Sequence, residues 1–302
     1  MTVLTEAPEL AGYHDEPAQL PSGAPGKNGY LRLGFAVRGS RTELVDLDRR
    51  TPLLVQQALH FDEAMPEAAC VFMVSTSGGV LQGDRNTIEI DVGADAHAHL
   101  TTQAATKIQE MDANFATQSQ RITVHEGAYC EYLPEPIIPY RHSRYVSTTH
   151  LVVAAGATLL YSEILLPGRT YYRGGERFAY DVFSSTIRAT RPDGRDLFTE
   201  KFVIEPARFH PQRRGVLGDF EVLGNVILLT PPDVAERVIS RVPAGVGREC
   251  ASGASRLPND AGLIFKALGM DSEPVKAQVR AFWTVVRDEV VGRELAEAFR
   301  WR

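Results

Sequence analysis

The sequence predicts an all-β protein of stacked strands in the manner of a β-helix, with two or so helices, mostly towards the C-terminus. Between Ile88 and Leu100 every even position is apolar and every odd position is polar or glycine, which is the period of two typical of a strand. A motif of Val, two residues, Asp or Gly, and Ala also recurs every 30 residues or so, as expected for stacked repeats. Its three copies lie at 92–96, 124–128 and 153–157.

Each copy of the motif places a tight turn between two apolar, strand-like segments. Residues 121–133 and 150–166 are rich in Val, Ile, Tyr and Thr and are interrupted by Gly127 and Gly156. Stacking such units buries a face that none can bury alone, which favours a solenoid. Three ordinary hairpins with similar turns are the alternative, and both interpretations give an all-β body.

Helical periodicity occurs only late in the chain. Pro231, Pro232 and Asp233 provide turn and cap residues for a short helix over 234–242. A longer helix is predicted over 274–291, because valines and Phe282 recur there at steps of three and four before Gly292. Residues 243–260 are rich in Gly, Ser, Ala and Pro without periodicity, and predict a long loop.

Length and composition limit the class of protein. We expect a disordered tail over 1–27, which lacks the pattern of a signal peptide, and a single β domain over 28–302. No stretch approaches the roughly 20 apolar residues that cross a bilayer. Three widely spaced cysteines indicate neither disulfides nor a zinc knuckle and favour a cytoplasmic setting. The net charge of −6 argues against nucleic-acid or membrane partners.

Residues 78–85 (GGVLQGDR) imitate a phosphate-binding loop without completing it. Gly83 is followed by Asp84, where a nucleotide site requires Lys and then Ser or Thr. We therefore predict a tight turn that closes a pair of strands, with its glycines at positive φ.

Three acidic residues are candidate contacts for a divalent cation. Glu163 interrupts the apolar run LLYSEILL, where a carboxylate must be paired or face a wet cavity. Glu200 in LFTEKFVIE resembles it, although alternation allows either glutamate to face solvent. With Asp84, these residues would line a hydrated path.

His97 and His99 lie two apart on a strand, so their imidazoles share one face, alongside Glu89, Asp91 and Asp95. A transient nickel contact is one interpretation. A solvent-facing polar strand is the other. A cupin-like metal oxygenase would also use such a pair, but Gln103 and Ala104 stand where its glutamate would be.

No catalytic signature is present, since there is no Gly-x-Ser-x-Gly elbow, no reactive-cysteine motif and no dinucleotide fingerprint. One enzymatic alternative remains. A β-helix carbohydrate-active enzyme would use paired carboxylates about 5 to 9.5 Å apart in an open groove. The run PEPIIPY predicts an edge strand or corner rather than a ligand for an aromatic groove.

The order of these motifs resembles the UreD (UreH) family of urease accessory proteins over residues 30–302. The resemblance is carried by GGVLQGDR, TTQAATK at 101–107, LPEPIIPY at 133–140 and EILLPGR at 163–169, with Trp283 and Trp301. The chain departs from the family pattern at Thr76-Ser77 and Gln82-Gly83, where relatives usually have a proline pair and a second glycine.

The resemblance implies a non-catalytic scaffold of stacked strands. Such a protein binds apo-urease and UreF, which recruits the GTPase UreG, and helps nickel reach the urease site. The resemblance implies no tightly bound cofactor, but it does imply transient contact with Ni²⁺. Acidic family positions proposed to line the nickel passage match Asp84, Glu163 and Glu200. Thr106 matches a small hydroxyl position that can add an oxygen ligand to this transient nickel path. His97 matches a common family histidine and is a further candidate contact, whereas His99 does not match one.

Overall fold

The computed structural model describes residues 4–14 and 27–296, and it is mainly β. This part of the chain contains 18 strands and two α-helices. In chain order they are β1 (Asn28–Arg38), β2 (Arg41–Arg50), β3 (Leu53–Leu54), β4 (Ala69–Ser75), β5 (Arg85–Val92), β6 (His97–Thr102), β7 (Thr106–Ile108), β8 (Ala116–Val124), β9 (Tyr129–Tyr132), β10 (Ile137–Pro139), β11 (Arg144–Val153), β12 (Thr158–Leu165), β13 (Val182–Thr190), β14 (Asp196–Ile204), β15 (Val222–Leu229), α1 (Pro232–Ser240), β16 (Gly245–Val246), β17 (Cys250–Arg256), β18 (Gly262–Gly269) and α2 (Ser272–Val291).

Two facing sheets form the body. The first sheet has the order β14-β13-β11-β8-β5-β1-β2, and the second has the order β16-β17-β18-β15-β12-β9-β6-β4-β3. The main apolar core lies between them, because alternate residues of each strand point inwards. Helices α1 and α2 cover the outer face of the second sheet and bury a separate apolar layer there.

The three repeats stack in register. Val92 pairs with Val124 and Val124 pairs with Val153, so β5, β8 and β11 run parallel in the first sheet. Strands β6, β9 and β12 run parallel in the second sheet. Each repeat turn therefore joins one sheet to the other, and the alternative of three hairpins is wrong.

Antiparallel strands flank this stack on both sheets. The body as a whole is thus a pair of mixed sheets, and a continuous β-helix is not confirmed. The turn at 78–85 has the predicted positive φ at Gly78, Gly79 and Gly83. However, it connects β4 in the second sheet with β5 in the first, so it does not close a strand pair.

Both predicted helices are present, and each begins two residues before the predicted start. The Asp271 side chain accepts the Ser272 N–H at the start of α2, and Gly292 ends the helix at a φ of 63°. Val275, Val279, Phe282 and Val286 form its buried face. The PEPIIPY segment forms β10, but this strand pairs with β7 on one side and with β12 on the other, so the prediction of an edge strand is wrong.

Two predictions about irregular segments require correction. The loop predicted over 243–260 contains β16 and β17, and β17 pairs antiparallel with β18. Residues 4–14, within the predicted disordered tail, form two 3-10 turns, with Leu10 buried against Phe115 and Val146. Residues 1–3 and 15–26 of that tail, and Trp301, lie outside the described residues. The division into a tail and one domain stays a prediction.

Candidate functional site

A polar cavity lies inside the sandwich. Its volume is about 250 Å³, and polar side chains of both sheets line it together with apolar ones such as Met73, Ile88 and Ile137. The first sheet contributes Asn86, Gln118, Gln120 and Ser147, and the second contributes Tyr132, Tyr161 and Glu163.

The cavity arises from the way polarity changes along the stacked strands. Close to the repeat turns, the inward residues are apolar, as in the rung of Ile90 and Ile122. Four residues earlier on each strand, the inward rung is polar across neighbouring strands. It consists of Asn86, Gln118, Ser147 and Ser185. Parallel in-register stacking therefore gathers polar side chains at one end of the interior.

Hydrogen bonds join the cavity walls into a network. The Tyr132 hydroxyl donates to Gln120 Oε1 at 3.0 Å, and the Tyr132 and Tyr161 rings stack with centroids 5.3 Å apart. Gln120 Nε2 is buried and has no hydrogen-bond partner among the described residues. A buried amide donor beside a polar cavity requires water or a polar guest. The chamber thus has the chemistry of a hydrated space.

Glu163 is the carboxylate of this chamber. It accepts hydrogen bonds from the Tyr161 hydroxyl at 2.9 Å and from the Ser185 hydroxyl at 3.0 Å. Burial raises the pKa of Glu163, hydrogen bonds from Tyr161 and Ser185 lower it, and the charge of Glu200 raises it again, so that the pKa lies above its usual value. Its hydrogen-bond donors are neutral hydroxyls, and the cation whose charge lowers its pKa, Lys266, is already paired with Glu200.

Glu200 lies close to Glu163 but on the opposite sheet. Its carboxylate accepts from Asn225 Nδ2 at 2.8 Å and forms an ion pair with Lys266. Glu163, Asn225 and Lys266 occupy one cross-strand rung of β12, β15 and β18. The Lys266 side chain is 43% exposed, so the polar row formed by Glu163, Asn225 and Lys266 reaches solvent at its Lys266 end. The structure thus brings together two of the predicted acids, and Glu200 faces this polar row.

Thr106 lines the cavity on another side, next to Gly79. The chain at Gly79 runs close to β7, since Val80 N–H donates to Lys107 O at 2.8 Å. A Cβ on Gly79 would lie 2.5 Å from that same oxygen, and the residue has a φ of 153°. Only glycine fits without displacement of the backbone.

Asp84 and His97 are not among the residues that line the cavity. Asp84 is fully buried, and its two oxygens accept the backbone N–H groups of Lys27 and Leu81, both at 2.9 Å. This carboxylate therefore holds the turn and the start of β1. His97 lies on the outer side of the second sheet, 3.8 Å from Glu67.

His99 shares the outer side of the sheet with His97, as predicted, but it is buried rather than solvent-facing. Its ring stacks on Trp283, and its Nδ1 lies 2.8 Å from Glu131. Glu89 and Asp91 are not beside the two histidines, because they lie on β5 in the first sheet.

Glu131 is the centre of a buried charge cluster that sequence reasoning missed. It accepts hydrogen bonds from Trp283, Tyr129 and Arg287 at 2.6 to 2.9 Å, and Arg287 also bonds Asp62 at 2.6 Å. Burial would raise the pKa of Glu131, but His99 and Arg287 hold it far below its usual range. These contacts fasten α2 to the sheet. A sequence signal existed in the arginine on the apolar face of α2.

Within residues 4–14 and 27–296, no three His, Cys, Asp or Glu side chains are grouped so that they could hold a metal ion. Cys70 and Cys130 are fully buried, and burial raises the pKa of the Cys70 thiol to about 12. Among the described residues, no helix combines the length and the hydrophobicity that a membrane span requires.

These features define a mainly β protein with a polar internal chamber and a helix fixed to one sheet by buried charges. The model of the UreD urease accessory protein family matches residues 27–302. Urease accessory protein UreD 2 of Brucella suis biovar 1 (strain 1330) is 55% identical over 301 residues, covering 99% of this chain and all of the relative. Urease accessory protein UreD of Yersinia pseudotuberculosis serotype O:1b (strain IP 31758) is 51% identical over 298 residues, covering 98% and 93%.

The chain belongs to the UreD family of urease accessory proteins. Members of this family are non-catalytic proteins with a chaperone-like role in assembly of the nickel centre of urease. The resemblance identified from the motifs is therefore confirmed. The carbohydrate-active enzyme and the cupin-like oxygenase are wrong, and Glu163 is enclosed between the sheets rather than placed in an open groove.

Proposed function

We propose that this protein is a cytoplasmic maturation scaffold that binds apo-urease and UreF, with UreG joining through UreF, and that nickel crosses its polar interior. Family membership supports the scaffold role. The observation that supports the passage is the polar chamber, with Glu163 inside it and Glu200 beside it.

The proposed path begins at Thr106, passes the amides of Gln118 and Gln120, and continues by Glu163 to Glu200. Most of these groups are neutral oxygen donors, which suit a cation that keeps much of its water. Isolated carboxylates hold nickel weakly, whereas a closed thiolate site would retain it. Such a path lets the ion leave, and nickel here is cargo rather than a cofactor.

At the Glu200 end of the path, the ion pair with Lys266 determines how easily a cation can bind to Glu200. Its ammonium already neutralises Glu200, so a divalent ion has to compete with it. Exposed ion pairs of this kind contribute only about 0 to 1 kcal/mol. The exchange is therefore inexpensive, and Glu200 can accept a passing cation for a short time.

Co-purification tests the scaffold role. A tagged chain, expressed with the urease subunits and accessory proteins, is expected to capture apo-urease and UreF, and UreG only when UreF is present. Capture of neither urease nor UreF contradicts the proposal.

The passage is tested by Glu163→Gln, which removes the charge and keeps the shape. We expect complexes to assemble normally while the nickel content of urease falls several-fold. Glu43→Gln, on the outer strand β2, is the matched control and should leave nickel content unchanged. Normal nickel content with Glu163→Gln rules out the passage but leaves the scaffold role intact. Asp84 is unsuitable for this test because its carboxylate holds two backbone N–H groups.

A further inference from the structure

Two long loops form one exposed end of the molecule. One joins β12 to β13 over residues 166–181, and the other joins β14 to β15 over 205–221. The Phe178 and His210 rings lie 5.5 Å apart, and Arg177 donates to Glu221 at 2.9 Å. Leu217 is buried in the same apolar cluster as Phe178. These anchors hold the two loops together as one surface.

This surface exposes large apolar side chains. Ten are exposed in the described part of the chain, and the two loops supply four of them, namely Tyr171, Tyr172, Phe209 and Val216. Tyr171 is 86% exposed and Phe209 is 56% exposed. Single exposed apolar residues are ordinary, but a cluster on ordered loops marks an interaction surface.

One segment of this surface is basic. The two loops together carry six arginines and five acidic residues, but residues 206–218 contain three arginines and one histidine and no acidic residue. The Arg208 and Arg213 guanidinium carbons lie 5.2 and 5.5 Å from the Phe209 ring centroid. Arg173 is 5.1 Å from the ring of Tyr172. Arg208 is also 3.4 Å from Glu205.

Arginines that rest on aromatic rings keep their planar set of N–H donors available to a carboxylate. Arginine and aromatic residues are also the types that dominate protein interfaces. We propose that this arginine–aromatic surface, defined by Tyr171, Arg173, Arg208, Phe209, Arg213 and Arg214, docks an acidic surface of a partner protein. A protein fits better than a nucleic acid, because the apolar side chains also require cover and the acidic remainder of the chain repels a long polyanion.

The inference rests on the proposed scaffold role for its biological meaning, but binding can be measured separately. The probe is a labelled peptide of alternating glutamate and leucine, titrated into the purified full-length chain. Arg213→Glu/Arg214→Glu is expected to weaken binding by about tenfold or more, which corresponds to at least about 1.4 kcal/mol. Added salt should weaken wild-type binding as well.

Arg38→Glu/Arg50→Glu is the matched control, since it makes the same charge change at exposed positions of β1 and β2. It should bind like the wild type. Three results overturn the inference: no saturable binding of the peptide, equal losses in both double variants, or tighter binding of a single-stranded oligonucleotide than of the peptide.

The same variants separate this inference from the scaffold role. If the wild type captures urease partners and Arg213→Glu/Arg214→Glu captures them equally well, the surface is not the docking site, although the scaffold role stands. If the wild type captures none of them, the scaffold role fails, and the peptide titration still decides whether the surface binds acidic partners.

Discussion

Two buried glutamates on neighbouring strands of one sheet have opposite environments. Glu131 on β9 points outwards beneath α2, where Arg287, Trp283, Tyr129 and His99 all bond it. Glu163 on β12 points inwards to the cavity, where the hydrogen bonds that it accepts from the described residues come from hydroxyl groups. The pKa of the first is held far below the usual range by its partners, and the pKa of the second is raised by burial.

The difference separates a carboxylate with a structural role from one that is available to bind a cation. A buried charge with a full set of donors fixes two elements together, and losing a partner is costly. A buried charge that lacks a cationic partner attracts a cation, provided that water can accompany it. The two environments therefore predict different responses to mutation and to pH.

The largest effect is expected from Arg287→Met, which leaves Glu131 and Asp62 buried without their cation. Breaking a buried pair commonly costs about 3 to 5 kcal/mol, and here two carboxylates lose their partner. That cost approaches the total stability of many domains. We expect most of the variant to be insoluble or unfolded. Lys276→Met on the same helix, which removes a partly exposed charge, should cost less than about 1 kcal/mol in urea unfolding.

Glu131→Gln should lower the free energy of unfolding by about 3 kcal/mol, which is less than the loss expected for Arg287→Met, because Asp62 still neutralises Arg287. The pH dependence provides a second readout. The folded pKa of Glu131 lies below the ordinary value of 4.5, so its stabilisation is present above pH 4.5 and is lost as the pH falls below it. Urea midpoints across this range should fall less steeply with acid in the variant. A variant as stable as the wild type at pH 7 would show that the cluster does not hold α2.

Local patterns are sufficient to predict both helices, the strands of the three repeats and their stacking. Alternation from Ile88 to Leu100 placed β5 and β6 correctly, and the valine of each repeat fixed the register of the parallel strands. Strand β17 was missed because its Ala, Ser and Gly residues are half-exposed and carry no apolar period. Only pairing with β18 makes it a strand, and such long-range pairing leaves no local trace.

The candidate site was predictable only in part. Glu163 was identified because a glutamate in an apolar strand needs a special environment, and Glu200 was found by the same reasoning. Arg287 and Glu131 are 156 residues apart in sequence, so their pairing appears only after folding. The sequence predicts Asp84 as an ion contact, yet in the structure its oxygens accept backbone N–H groups, a role that its sequence neighbours do not reveal.

The wall of the cavity can be tested through its glycines. Gly79→Ala forces a Cβ to within 2.5 Å of the Lys107 oxygen at a φ of 153°, and should cost about 1 to 3 kcal/mol. Gly78→Ala is the control, because its φ of 72° is strained to a lesser degree and nothing lies within 4 Å of the added Cβ. Its cost should be about 1 kcal/mol. Equal urea midpoints for the two variants would contradict the close approach.

The smallest effect, and the one that most directly separates the two glutamates, is expected from Glu163→Gln. The folded pKa of Glu163 is raised, so ionising it opposes folding, and the wild type loses stability as pH rises above the ordinary value of 4.5. A glutamine has no such titration. The glutamine can still accept a hydrogen bond from Tyr161, so the change in unfolding free energy at pH 7 should be on the order of 1 kcal/mol or less.

Urea unfolding at pH 5 and pH 8 measures this difference. The variant should gain stability relative to the wild type as the pH rises, which is the reverse of the shift expected for a salt-bridged carboxylate. A relative loss at pH 8 would mean that Glu163, like Glu131, is held by a fixed cationic partner, and the cavity would then be a structural feature rather than a passage.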